Sequence, residues 1–254
     1  MPKTPDATLR ERAAALGLHG LLARWHSVEA EPWLVPLITA EETERCRRSL
    51  ERRIGHAALG VFKPVADFDW AHPRKIDRDA VEALFDLDFL REHINVVFIG
   101  SGGVGKTMLA QNLAHRAILA GHTARFVSAA DMLGDLAAQD GSANLRRRLR
   151  HYTAPSLLVL DEVGYMSYGQ GYADLLFQVV SQRYQRRSTI VSTNRVFAEW
   201  SEVFPNATSI IALIDRLCHN AEIISIDADS YRNKETLERN AARKAARRPP
   251  RKRG

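Results

Sequence analysis

Residues 100–107 read GSGGVGKT, a glycine-rich loop with the spacing G-x-x-x-x-G-K-[ST], and it limits the fold more than any other stretch of the chain. Gly100, Gly102, Gly103 and Gly105 let the backbone take positive φ without a Cβ penalty. The N–H groups of the loop, from Gly100 and Ser101 through Val104 to Met108, can then converge on one anion. A helix opening near Lys106 adds the positive end of its dipole at the same point. In such a loop Lys106 reaches the β- and γ-phosphates of a nucleotide and the Thr107 hydroxyl holds Mg²⁺. The flanks fit: NVVFIG (95–100) has the apolar run of a buried strand. MLAQNLAHRAILAG (108–121) has helical spacing at Leu109, Leu113, Ala117 and Leu119–Ala120, closed by Gly121.

The pattern alternates after this helix. ARFVS (124–128), LLVLDE (157–162) and STIVSTN (188–194) read as strands, with helical stretches at AADMLGDLAAQ, SANLRRRLRHY and YADLLFQVVSQRYQRR (172–187). Strands alternating with helices after a phosphate loop imply an α/β fold: a parallel sheet with right-handed crossovers and a ligand site at its carboxyl edge. LLVLDE delivers two acids to that edge. Asp161 is expected to complete the Mg²⁺ shell with Thr107, and Glu162 to orient and deprotonate the water that attacks the γ-phosphate. Asn194 ends the next strand, where an amide can hold that water or a γ-phosphate oxygen; a turn-forming Asn is the simpler alternative.

Ahead of the loop the chain is expected to form an all-helical N-terminal domain (1–59), a linker (60–76) and then the nucleotide-binding domain (77–237), entered by a helix over 77–93. Thr39 to Glu42 fits a capping box opening the charged helix TERCRRSLERRI. Its Arg47, Arg48, Arg52 and Arg53 interleave with Glu42, Glu44 and Glu51 and read as a solvated face. In the linker, Phe68 and Trp70 either stack on adenine or serve as hydrophobic pegs.

Charge is unevenly placed. The net charge is +6, yet the last fourteen residues hold Arg243, Lys244, Arg247, Arg248, Arg251, Lys252 and Arg253 with no acid. Residues 238–254 are therefore expected to be a disordered basic tail, an arm that contacts nucleic acid or, in the simpler alternative, a solvating end. A second basic feature is NLRRRLRHY, where Arg146, Arg147, Arg148 and Arg150 have no acid nearby in sequence and can track a phosphate backbone. Two cysteines without metal-ligand spacing, and no apolar run of 18 residues, lead to the expectation of a cytoplasmic protein without disulfides or membrane association.

GSGGVGKT, LLVLDEVGY, YADLLFQVVSQRY, STIVSTNRVFAEWSEVF, LIDRLCHNAEII and SYRNKE together resemble the IstB family, ATP-binding helpers of bacterial insertion sequences related to the DnaC helicase loaders within the AAA+ ATPases. The similarity spans residues 8–237. It departs at Ser101-Gly102, where the family more often has two prolines or Pro-Gly, a change that bears on loop stiffness. The resemblance implies an AAA+ ATPase with ATP and Mg²⁺ as cofactors. It implies that Arg216 is an arginine finger reaching a neighbour's γ-phosphate, an ion pair with Asp215 being the alternative, and that Arg232 is a second nucleotide-sensing arginine. A finger acting in trans requires head-to-tail association into a ring or helical filament. The implied partners are DNA, bound mostly without regard to sequence, and a transposase. A helicase loader of DnaC type is the alternative within the class, and a P-loop small-molecule kinase the alternative outside it.

Overall fold

The computed structural model describes residues 8–165, 171–204 and 209–246. The chain divides into two compact units, Met1–His56 and Ala57–Gly254.

The first unit contains α1 (Leu9–Ala15), α2 (His19–Ala23), α3 (Trp25–Val28) and most of α4 (Leu34–Ala57), around a core of Ala13, Leu16, Trp25, Leu34 and Ile38. The capping box lies elsewhere than expected. Thr8 and Glu11 cap α1 reciprocally, whereas Thr39 and Glu42 are interior to α4 and receive the Arg12 guanidinium. Pro36 falls in the first turn of α4, where a missing N–H costs no helical bond, so the helix starts five residues before Thr39. On its solvated side Arg47 and Arg48 bond Glu44 and hold that carboxyl down at about 2.

The second unit begins with residues that were expected to be a linker. They are packed onto it: the buried Asn112 amide accepts from the Val65 N–H at 2.9 Å and donates to the Lys63 carbonyl at 2.9 Å, and Phe68 is buried. The single helix expected over 77–93 is broken. Leu87 takes a left-handed φ of 66°, separating α5 (Arg78–Ala83) and the 3-10 turn Leu84–Asp86 from α6 (Asp88–Arg91).

There follow β1 (Asn95–Gly100), α7 (Lys106–Leu119), β2 (Ala124–Ser128), α8 (Ala129–Ala137), α9 (Ser142–Thr153) and β3 (Leu157–Val163). The unit continues through α10 (Tyr172–Arg183), β4 (Ser188–Thr193), α11 (Trp200–Val203), α12 (Ile210–Cys218), β5 (Ala221–Ile226) and α13 (Tyr231–Ala246). The strands form one parallel sheet in the order β2-β3-β4-β1-β5. The edge strand β5 was not anticipated; its half-exposed alternation, with Glu222 and Ile223 in place of an unbroken apolar run, hides it. In α7 the buried stripe is Leu109, Leu113, Ala117 and Ile118, while Leu119 points outward. Helix α13 carries regular structure to Ala246, nine residues into the segment expected to be irregular.

Val96, Val97 and Phe98 of β1 and Leu157–Leu160 of β3 are wholly buried, each contributing about 1.5–3 kcal/mol through burial. The core thus fixes the strands and leaves the polar residues at their carboxyl ends free for chemistry. The buried Arg183 secures the opposite edge of the sheet. Its guanidinium donates to the carbonyls of Tyr152, Pro155 and Ser188 and to the Thr189 hydroxyl, tying α10 to the starts of β3 and β4. Burial pushes its pKa down to about 9.

Candidate functional site

The loop from Gly100 to Thr107 leaves β1 and enters α7 with Gly105 as N-cap. The glycines do not all serve the same purpose. Gly103 and Gly105 have positive φ (82° and 101°), but Gly100 and Gly102 do not, which corrects the expectation for those two. Gly100 is required by close approach: a Cβ there would stand 2.4 Å from the Ile226 carbonyl oxygen of β5. Behind Gly105 a Cβ would meet the Phe68 ring at 2.5 Å. Phe68 thus packs under the loop and also lines the cavity described below, whereas Trp70, 4.7 Å from it and beneath the Arg78 guanidinium, does not line it.

Lys106 is 5% exposed, and its ammonium donates to the carbonyls of Gly100 (2.6 Å) and Ser101 (2.7 Å). Burial lowers its pKa to about 8, with Arg232 adding repulsion and Asp161 and Glu162 opposing the shift. A buried cation satisfied by backbone carbonyls alone is a site built for an anion.

On β3, separated from β1 by β4, Asp161 is buried, accepting from the Thr107 hydroxyl at 3.1 Å and from the Ser192 hydroxyl of β4. The register between β3 and β4 shifts between Leu160 and Val163. That bulge puts Glu162 at φ 60° and leaves its side chain exposed, while its N–H donates to Ser192 Oγ at 3.0 Å. Left-handed backbone at a non-glycine costs about 1–3 kcal/mol and persists where surrounding bonds hold it. Ser192 supplies those bonds to both acids at once. Sequence reading did not assign Ser192 to the site; it is one of four hydroxyl residues in a wholly buried strand, and nothing in the sequence sets it apart from Ser188, Thr189 and Thr193. A hydroxyl next to a buried carboxylate, beside an ammonium held by backbone carbonyls, is the donor set a hard cation and a polyphosphate require, so the residues fit ATP with Mg²⁺.

A cavity of about 220 Å³ opens onto Lys106, Thr107 and Glu162. Phe68, Gly103 to Met108, Glu162 and Arg232, all weighed from sequence, line it, while Gly100, Ser101, Gly102 and Asp161 do not; residues that sequence reading did not assign also line it, among them Lys63, Asp69, His72, Tyr165, Tyr231 and Glu235. The packed segment before β1 and helix α13 form its rim. Lys63 pairs with Glu235 at 2.6 Å and Lys234 with Asp69 at 3.0 Å, and the Tyr231 N–H donates to the Gly103 carbonyl.

The remaining expected residues are dispersed. Asn194 is exposed just past β4, a strand lying between β3 and β1, but it does not line the cavity. Arg216 on α12 does not line it either: its guanidinium bonds the Ser181 hydroxyl and lies 4.6 Å from the Phe177 ring, both on α10, in place of the Asp215 pair weighed from sequence. On α9, Arg146, Arg147 and Arg150 are exposed. Arg148 is not equivalent, because the fold brings Asp135 of α8 against it, with Tyr152 bonding the same carboxylate at 2.6 Å. Arg243 is exposed on α13; the side chain of Lys244, and Arg247 and Arg248, lie outside the described residues. No helix among those residues is long and apolar enough to cross a membrane.

A family model described as IstB-like ATP binding protein matches residues 8–239. An insertion-sequence protein named for ATP binding, from IS5376 of Geobacillus stearothermophilus, is 32% identical over 84% of this chain and 85% of its own. Its counterpart from IS232 of Bacillus thuringiensis subsp. berliner is 35% identical over 80% of this chain and 81% of its own. The crystal structure of DnaI is similar in fold, with a TM-score of 0.55 over 66% of this chain and 92% of that one, at 17% identity.

Proposed function

The chain belongs to the IstB-like ATP binding protein family, and from that premise we propose that it is an ATP-hydrolysing regulator of transposition that assembles on DNA and is released by hydrolysis. The observation that carries the hydrolytic part is the bulge that sets Asp161 and Glu162 to different tasks. Asp161 is turned inward to Thr107, while Glu162 is exposed and lines the cavity. The loop N–H groups and Lys106 hold the phosphates; Thr107 and Asp161 would hold Mg²⁺, which would supply charge stabilisation at the phosphate oxygens. Glu162 takes the proton of the attacking water. Its exposed carboxylate beside a nucleotide cavity favours water as acceptor over a second small molecule.

Assembly and partners rest on further features. Arg146, Arg147 and Arg150 form an exposed basic face on α9 suited to phosphates of DNA, with an affinity that falls steeply with salt. Arg216 stands away from its own cavity, which suits service to a neighbouring subunit in a head-to-tail ring or filament. A transposase is the partner this reading gives that assembly, supported by the insertion-sequence origin of the relatives.

The test is Glu162→Gln, which keeps size and hydrogen bonding but removes the base. Phosphate release in the presence of DNA should fall about 10²- to 10⁴-fold while nucleotide affinity stays within a few-fold. Turnover at the unmodified rate would remove Glu162 from the mechanism.

A further inference from the structure

Tyr165 has no part in the mechanism above, yet it lines the same cavity. The chain reaches it by an abrupt reversal after β3. Glu162 is left-handed, Gly164 follows at φ 92°, and the Tyr165 N–H returns to the Glu162 carbonyl at 3.4 Å. A Cβ on Gly164 would press on the Arg195 side chain at 3.2 Å, so the turn depends on glycine there. The reversal lays the phenol against the loop: its hydroxyl is 3.4 Å from the point a Cβ on Gly102 would occupy.

Three properties distinguish this side chain from a packing residue. It is 44% exposed, and among the described residues its hydroxyl bonds no protein group. Its acidity is nevertheless lowered, first by burial of the hydroxyl and then by the negative charge of Glu162. A tyrosine hydroxyl placed in a cleft without a protein partner is a free donor for whatever fills the cleft. Glu162 works where the terminal phosphate is attacked, and Tyr165 is turned back beside it.

We propose that the Tyr165 hydroxyl donates a hydrogen bond to the terminal phosphate of a nucleoside triphosphate, so that this residue distinguishes triphosphate from diphosphate. The proposal rests on the nucleotide-binding reading of the cavity. A bond made to the third phosphate alone adds affinity for ATP and none for ADP, and it weakens as the product forms. The turn Glu162–Tyr165 thereby joins the residue that acts on the water to one that registers whether the phosphate is still attached.

Tyr165→Phe removes the hydroxyl and keeps the ring. Titration calorimetry of the whole chain with Mg²⁺ and either ADP or a non-hydrolysable ATP analogue should give about a tenfold loss of affinity for the analogue, the scale of one charge-assisted hydrogen bond. Affinity for ADP should stay within twofold. Equal losses for both nucleotides, or no loss for either, would overturn the assignment. A wild-type chain that binds neither nucleotide overturns the reading of the cavity itself, and Tyr165's role with it.

Discussion

Lys106 shows how much a single side chain can report about this site. Burial brings its pKa down to about 8, so the ammonium is fully charged only below that value. A bound polyphosphate favours the charged form. At pH 7 nucleotide binding therefore leaves the lysine's proton count unchanged, whereas at pH 9 binding must take up about one proton, and affinity should fall up to about tenfold per pH unit above 8. Calorimetry in buffers of different ionisation heat reads the proton uptake directly; an uptake independent of pH between 7 and 9 would contradict the assigned environment. Lys106, Thr107, Asp161 and Glu162 were legible in sequence because each is a polar residue where an apolar strand or glycine loop ends. Ser192 and Tyr165 were not, for a shared reason. Their meaning comes from the bulge between β3 and β4, which is a relation between two strands and leaves no mark in either alone.

Elements were legible where periodicity is unbroken, and less so where one residue's backbone decides. β1, β3, β4 and α7 follow from apolar runs and helical spacing, but the break at Leu87 and the alternating edge strand β5 do not. Helix α9 illustrates the functional side of this limit. Its arginines look interchangeable along the chain, yet Arg148 is joined to Asp135, which lies thirteen residues earlier, while Arg150 is exposed. Arg148→Ala should lower the melting temperature by about 2–4 °C, corresponding to about 1 kcal/mol. Arg150→Ala should leave melting unchanged but weaken DNA binding and shallow the dependence of log affinity on log salt by about 0.9. Thermal melts and salt titrations of the two variants check this, and a Tm loss in Arg150→Ala with none in Arg148→Ala would reverse the roles.

At the scale of the whole molecule, a complete catalytic site requires more than one copy of the chain if Arg216 acts in trans. Arg216→Ala should bind nucleotide within about twofold of wild type and lose at least tenfold in turnover. Mixing it with Lys106→Ala subunits should restore part of the rate, because one partner contributes an intact loop and the other an intact arginine; absence of any rescue would place Arg216 in its own subunit's chemistry. Within one copy, the cavity already unites distant parts of the sequence. Its rim ties Lys63 to a residue 172 positions later and Asp69 to one 165 positions later. During synthesis the phosphate loop is made long before the helix that closes over it. A nascent chain therefore carries the signature of a nucleotide site well before the helix that rims the site has been made, which ties acquisition of nucleotide to completion of the domain.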